Sequence, residues 1–109
     1  MAWLVPWYSV IGDATQVASM ERELRRELSA GHPLFGLPVR TVGRRQDCDD
    51  VLFAIDDGTG RVAVVHLMWT PNSPERAPWP MTVVYPTFET WLAEGMQDDH
   101  DKFSADSPE

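Results

Sequence analysis

At 109 residues, with a net charge of −8 and a single cysteine, the chain has the length for one hydrophobic core and no internal disulfide to staple it. Its negative charge repels phosphate backbones and anionic headgroups, so neither nucleic acid nor a membrane surface is an expected partner. No apolar run approaches the ~18 residues that a membrane span requires. Met1-Ala2-Trp3-Leu4-Val5-Pro6 has neither the basic nor the long apolar region of a signal peptide, and with Cys48 alone a reducing cytoplasm is the expected compartment.

The first twelve residues are aromatic-rich (Trp3, Trp7, Tyr8) without a clean period, and are expected to pack on the domain as a strand or an arm. Asp13-Ala14-Thr15-Gln16 reads as a capping box, with Asp13 accepting from the backbone three residues on and Gln16 reaching back. Behind it Val17, Met20, Leu24 and Leu28 share an arc of about 80° on a helical wheel. That spacing predicts an amphipathic helix over about 14–30, with Glu21 and Arg25 as an i,i+4 pair on its polar side. Gly31 is the expected left-handed stop, and Pro33 forbids continuation.

Residues 38–46 read as a polar edge strand and 47–50 as a turn. Two β-rich runs, 51–55 and 61–69, are joined by Asp56-Asp57-Gly58-Thr59-Gly60, a hairpin signal. Pro71, Pro74, Pro78 and Pro80 rule out regular structure over 70–80. Residues 81–85 form the fourth predicted strand. Thr87 then caps a short helix with Phe88, Trp91 and Leu92 on one face, ending near Gly95. Beyond Gln97 the chain is acidic, holds half of the net charge, and has too little apolar content to repay ordering.

The two middle β runs lack the alternation of a half-solvated strand. In 61–69 one parity holds Ala63, Val65, Leu67 and Trp69, and the other holds Val62, Val64, His66 and Met68. Val51-Leu52-Phe53-Ala54-Ile55 is apolar throughout. Both runs are therefore expected to be covered front and back. The long helix covers one face. The other requires the C-terminal helix, the tryptophan-rich N-terminus and proline loop, or a second subunit, and a homodimer is the expectation drawn from this.

The fold expected is α+β: a four-stranded, mostly antiparallel sheet with a long N-terminal helix on one face and a short C-terminal helix. It spans residues 1–97 and is followed by a disordered acidic tail over 98–109. Gly31-His32-Pro33-Leu34, Asp47-Cys48-Asp49-Asp50-Val51-Leu52-Phe53, the run from Val62 to Trp69, and Trp79-Pro80 occur in that order. Together they resemble a family of short uncharacterised bacterial proteins, over residues 23–91. The family usually carries Thr where this chain has Met68. The resemblance implies a single bacterial cytoplasmic domain and no particular activity. Eight arginines against one lysine fit a GC-rich bacterial genome.

His66 interrupts an apolar run in a central strand. It reads either as a neutral core histidine or as a general base with Asp50 or Glu75 as its polar partner. His32, in the turn after the helix, is expected to bond the helix's last carbonyls. Cys48 lies between Asp47 and Asp49, which discourages its thiolate. Asp47, Asp49 and Asp50 lack the glycine and distal glutamate of a calcium loop, no ligand pair has zinc spacing, and no metal or cofactor is expected. Gly58-Thr59-Gly60 lacks the lysine and helix of a phosphate loop. Arg40, Arg44, Arg45 and Arg61 form at most a small basic stripe, neutralised in part by Asp56 and Asp57. Trp69, Glu75, Arg76 and Trp79 sit on the proline loop, where rigid aromatics suit recognition or pin the loop to the sheet. The candidate binding residues are therefore His66, Trp69, Glu75, Trp79 and Asp50. The expected function is a non-catalytic protein-interaction domain, with a small enzyme or ligand pocket centred on His66 as the alternative.

Overall fold

The two uninterrupted apolar runs become neighbouring strands in the middle of a sheet. The computed structural model describes residues 2–71, 74, 76 and 78–105. Its five strands are β1 (Trp7–Ser9), β2 (Val39–Arg45), β3 (Asp50–Ile55), β4 (Val62–His66) and β5 (Thr82–Tyr85). They follow one another across the sheet in chain order, and every pairing is antiparallel. The fold is α+β as expected, with five strands rather than four. The extra one is β1, whose three residues are too few to show a period. Because β1 pairs with β2, β2 is not an edge, and Thr41, Val42 and Gly43 at its centre are buried.

Helix α1 (Ala14–Glu27) begins as the sequence dictates: the Gln16 amide donates to Asp13 at 3.1 Å, and its side chain donates to the same carboxylate at 2.9 Å. It ends before Gly31, because Leu28 turns extended (φ −74°, ψ 137°) and drops into the core. Glu21 does not pair with Arg25. Its carboxylate accepts from the Thr41 amide and hydroxyl, tying α1 to β2. Met20, Leu24, Leu28 and Leu34 pack on Val51, Phe53, Ile55, Ala63, Val65 and Leu67, one parity of β3 and β4.

The opposite parity, with Leu52 and Val62 at its centre, is covered from both ends of the chain. Trp3 and Trp7 come from the N-terminus. From the other end comes one continuous helix made of α2 (Phe88–Thr90), a π-helical stretch (Trp91–Met96) and α3 (Gln97–Ala105). Trp91 is fully buried, with Trp7 edge-on at 5.1 Å and Trp3 at 5.9 Å. Thr87 caps this helix, accepting from the Thr90 amide at 3.0 Å.

Gly95 does not end it. A Cβ there would lie 2.5 Å from the Trp91 ring, so glycine lets the indole lie across the helix backbone. Nor is the tail disordered from Asp98: α3 runs to Ala105, held by polar tertiary contacts that a count of apolar residues does not register. Asp99 accepts from the Trp7 indole N–H at 2.9 Å and pairs with Arg45 at 3.4 Å, while His100 Nδ1 donates to the Val5 carbonyl at 2.7 Å. Residues 106–109 lie outside the described residues. The sheet is covered on both faces within one chain, so its second face needs no second subunit.

Candidate functional site

Antiparallel pairing sets Asp50, the first residue of β3, directly opposite His66, the last of β4. Directly opposed residues point to the same side of a sheet, here the side of Leu52 and Val64. His66 is half exposed instead of forming part of the core, and Asp50 Oδ1 lies 2.7 Å from His66 Nδ1. A carboxylate only accepts, so Nδ1 carries the donated proton and Nε2 faces outward.

Behind the pair, Arg45 lies 3.8 Å from Asp50 and grips Asp47 through two hydrogen bonds of 2.8 Å. Arg45 also meets Asp99, so the corner is a chain of charges from His66 through Asp50 and Arg45 to Asp99 and the Trp7 indole. Arg45 holds the Asp47 carboxyl below the usual carboxylate range. Burial, more than its acidic neighbours, raises the Cys48 thiol above its ordinary value. Asp47 and Asp50 thus share Arg45, and Asp50 alone also meets His66. Among the described residues, no three His, Cys, Asp or Glu side chains are placed to hold a metal ion.

The basic stripe is largely neutralised at the other end of the sheet. Arg40 pairs with Asp56 and Arg61 with Asp57, and Arg44 donates to Gln16. The hairpin between them turns at Gly58 and Gly60, both at positive φ.

Trp69 stands apart from His66. Its backbone takes the left-handed conformation (φ 54°), uncommon for a large side chain, and its ring is 42 % exposed. What holds it is Glu27. This carboxylate is 0 % exposed and accepts from the Met68 amide at 2.8 and 3.0 Å and from the Trp69 amide at 2.9 Å. Arg26, one residue before it, binds Glu23 through two hydrogen bonds and donates to the Thr70 carbonyl.

Burial and a hydrogen bond with Glu23 push the Glu27 carboxyl up to about 7, against the pull of the two amides. Burial also raises Glu23, but Arg26 and its bond with Glu27 outweigh this and leave it below the ordinary value. Sequence reasoning placed both among the polar residues of α1, yet a signal was there. Met20, Glu23, Leu24, Glu27 and Leu28 make a continuous i, i+3, i+4, i+7, i+8 stripe, the pattern of a buried face.

Trp79 is 44 % exposed, and neither tryptophan stacks on another ring among the described residues. The segment after Trp79 is pinned by His32. The buried ring accepts the Leu34 amide at Nδ1 (3.0 Å), so Nε2 carries the proton and donates to the Pro80 carbonyl at 2.9 Å. His32 therefore bridges to the proline loop instead of capping α1. Glu75 lies outside the described residues. The structure joins His66 with Asp50 and leaves Trp69 and Trp79 as separate exposed rings.

The continuation past Trp79 is apolar and open. Met81 lies opposite His66, whose amide donates to the Met81 carbonyl. Met81 thus shares the open side with Val83, and Val84 points to the other side. All three are exposed, and among the described residues β5 pairs with β4 alone.

No family model matches this chain, and neither a curated protein nor a solved structure does. Among the described residues, no helix is long and apolar enough to cross a membrane.

Proposed function

We propose that this chain is a small non-catalytic protein-interaction domain that binds through the free edge of β5, its partner being β5 of a second copy. The observation that carries this is the composition of that edge. Val83 and Val84 are 55 % and 37 % exposed on opposite faces, and Trp79 and Met81 extend the apolar strip. The run from Trp79 to Tyr85 contains no charge, the usual protection of an open strand. Antiparallel pairing of two β5 strands satisfies their outward amides and carbonyls under two-fold symmetry and joins two sheets into one.

Sedimentation equilibrium at tens of micromolar tests it. The expected mass is that of two chains, falling to one for Val83→Lys with Val84→Lys while the circular dichroism is unchanged. A wild-type protein of single-chain mass overturns the reading. The lone free Cys48 and the arginine-rich basic set support placing this domain in a bacterial cytoplasm.

The His66–Asp50 pair favours a second reading, a small enzyme or ligand pocket. With Asp50 holding Nδ1, the neutral ring presents Nε2 as a base to solvent. The readout is hydrolysis of an activated ester such as p-nitrophenyl acetate. A rate above that of free imidazole, lost in both His66→Ala and Asp50→Asn, supports catalysis; a rate equal to free imidazole removes it.

A further inference from the structure

Two cavities flank the sheet, and they differ in charge. One, about 530 Å³, lies beside the β3–β4 hairpin, and both of its cations are satisfied, Arg40 by Asp56 and Arg61 by Asp57. The other, about 560 Å³, opens between the C-terminal half of α1 and the segment leading into β2. Leu24 and Leu28 form its buried side, Leu37 and Val39 are partly buried against the same core, and Phe35 stands half exposed on its wall.

The sole charged side chain lining it, among the described residues, is Arg25. Among the described residues this guanidinium makes no ion pair or hydrogen bond. Glu21, one turn back, is held by Thr41, and Glu23 is held by Arg26. A cation at an apolar cavity selects locally for an anion with an apolar body, and it does so against the overall repulsion of a chain of net charge −8.

We infer that this cavity binds a medium-chain aliphatic monocarboxylate, its tail against Leu24, Leu28, Phe35, Leu37 and Val39 and its carboxylate on Arg25. The volume is within the range of small-ligand sites, and the lining offers dispersion contacts without directional polar demands. Length of tail and sign of headgroup are therefore what it reads. A neutral or cationic headgroup forfeits the charge-assisted hydrogen bonds, and a shorter tail loses roughly fourfold in affinity per methylene. This site is separate from the β5 edge, and neither proposal depends on the other.

Titration of the isotopically labelled protein with octanoate, hexanoate, octylamine and octan-1-ol, followed by amide chemical shifts, tests the inference. Octanoate is expected to shift the amides of residues 24–28, 35–37 and 39 saturably. Hexanoate, two methylenes shorter, should bind roughly fifteenfold more weakly. Arg25→Gln, at an exposed position without partners among the described residues, should weaken octanoate by about tenfold and leave octan-1-ol unchanged. Octylamine binding as tightly as octanoate overturns the inference, as does octanoate binding unmoved by Arg25→Gln. So does the absence of saturable shifts at these amides. Concentration-dependent shifts of the same amides without additive would assign the cavity to a second copy, and also overturn it.

Discussion

The two faces of the sheet are closed by opposite strategies. Under α1 the contacts are mainly aliphatic around Phe53, the cover is α1 with the segment that follows it, and two carboxyl side chains are sealed inside. On the other face three indoles meet, supplied by the two chain ends, and the polar links to Asp99 and His100 lie at the margin. The first arrangement gives Glu27 the central share in holding the chain's exit from β4, beside Arg26 on the Thr70 carbonyl. The second spreads its cohesion over rings and leaves the corner at His66 and Asp50 uncovered. Where a carboxylate sits relative to its cover, more than its chemistry, decides what it does.

The sharpest test of this contrast is Glu27→Ala. It strands the Met68 and Trp69 amides without their acceptor and frees a left-handed tryptophan backbone. A loss of about 3 kcal/mol or more is expected in urea unfolding. A loss below 1 kcal/mol would mean that the exit from β4 is held by something else.

Next in size is the pH dependence. The folded Glu27 carboxyl is raised to about 7, above the ordinary 4.5 it has once unfolded, so the folded state takes up a proton between those values. Its contribution to stability is fully present below pH 4.5 and is lost as the pH rises through about 7. Unfolding at pH 5 should therefore need more denaturant than at pH 8, by on the order of 2 kcal/mol. Glu27→Gln, which mimics the protonated form, should flatten the profile. A profile unchanged in that variant would place the proton elsewhere.

On the aromatic face, Gly95→Ala drives a methyl group into the Trp91 ring, against the gain in helix propensity. The expected net loss is about 1–2 kcal/mol in thermal unfolding. A stabilised variant would show that the indole has room to move. The smallest effect belongs to the open corner. Asp50→Ala removes a half-exposed pair with His66, and should cost less than about 1 kcal/mol. A larger loss would make the chain of charges through Arg45 part of the fold's framework.

Some elements were legible because their signals are local. Asp13 with Gln16, the period from Val17 to Leu28, and the hairpin glycines depend on residues within a few positions of one another. The unbroken apolar runs of β3 and β4 correctly required cover on both faces. His66 was not legible as exposed, because its own strand is apolar on both parities and exposure at the strand's end is set by what packs there from elsewhere in the chain. Glu27 escaped notice because a glutamate on a helix is ordinarily solvated; its burial rests on amides 41 and 42 positions away. The order of 98–105 was hidden for the same reason, since Trp7 is 92 positions from Asp99.

By itself, then, the sequence determined the α+β class, the start and buried stripe of α1, the central hairpin and the demand for two layers of cover. Periodicity and turn chemistry act between near neighbours and need no knowledge of the rest of the chain. Tertiary structure alone decided what supplies the second layer, which carboxylates are sealed or open, and that Arg25 has no partner among the described residues. Each of those depends on which distant groups share a space in the folded chain, and burial, unlike propensity, is a property of the assembled fold.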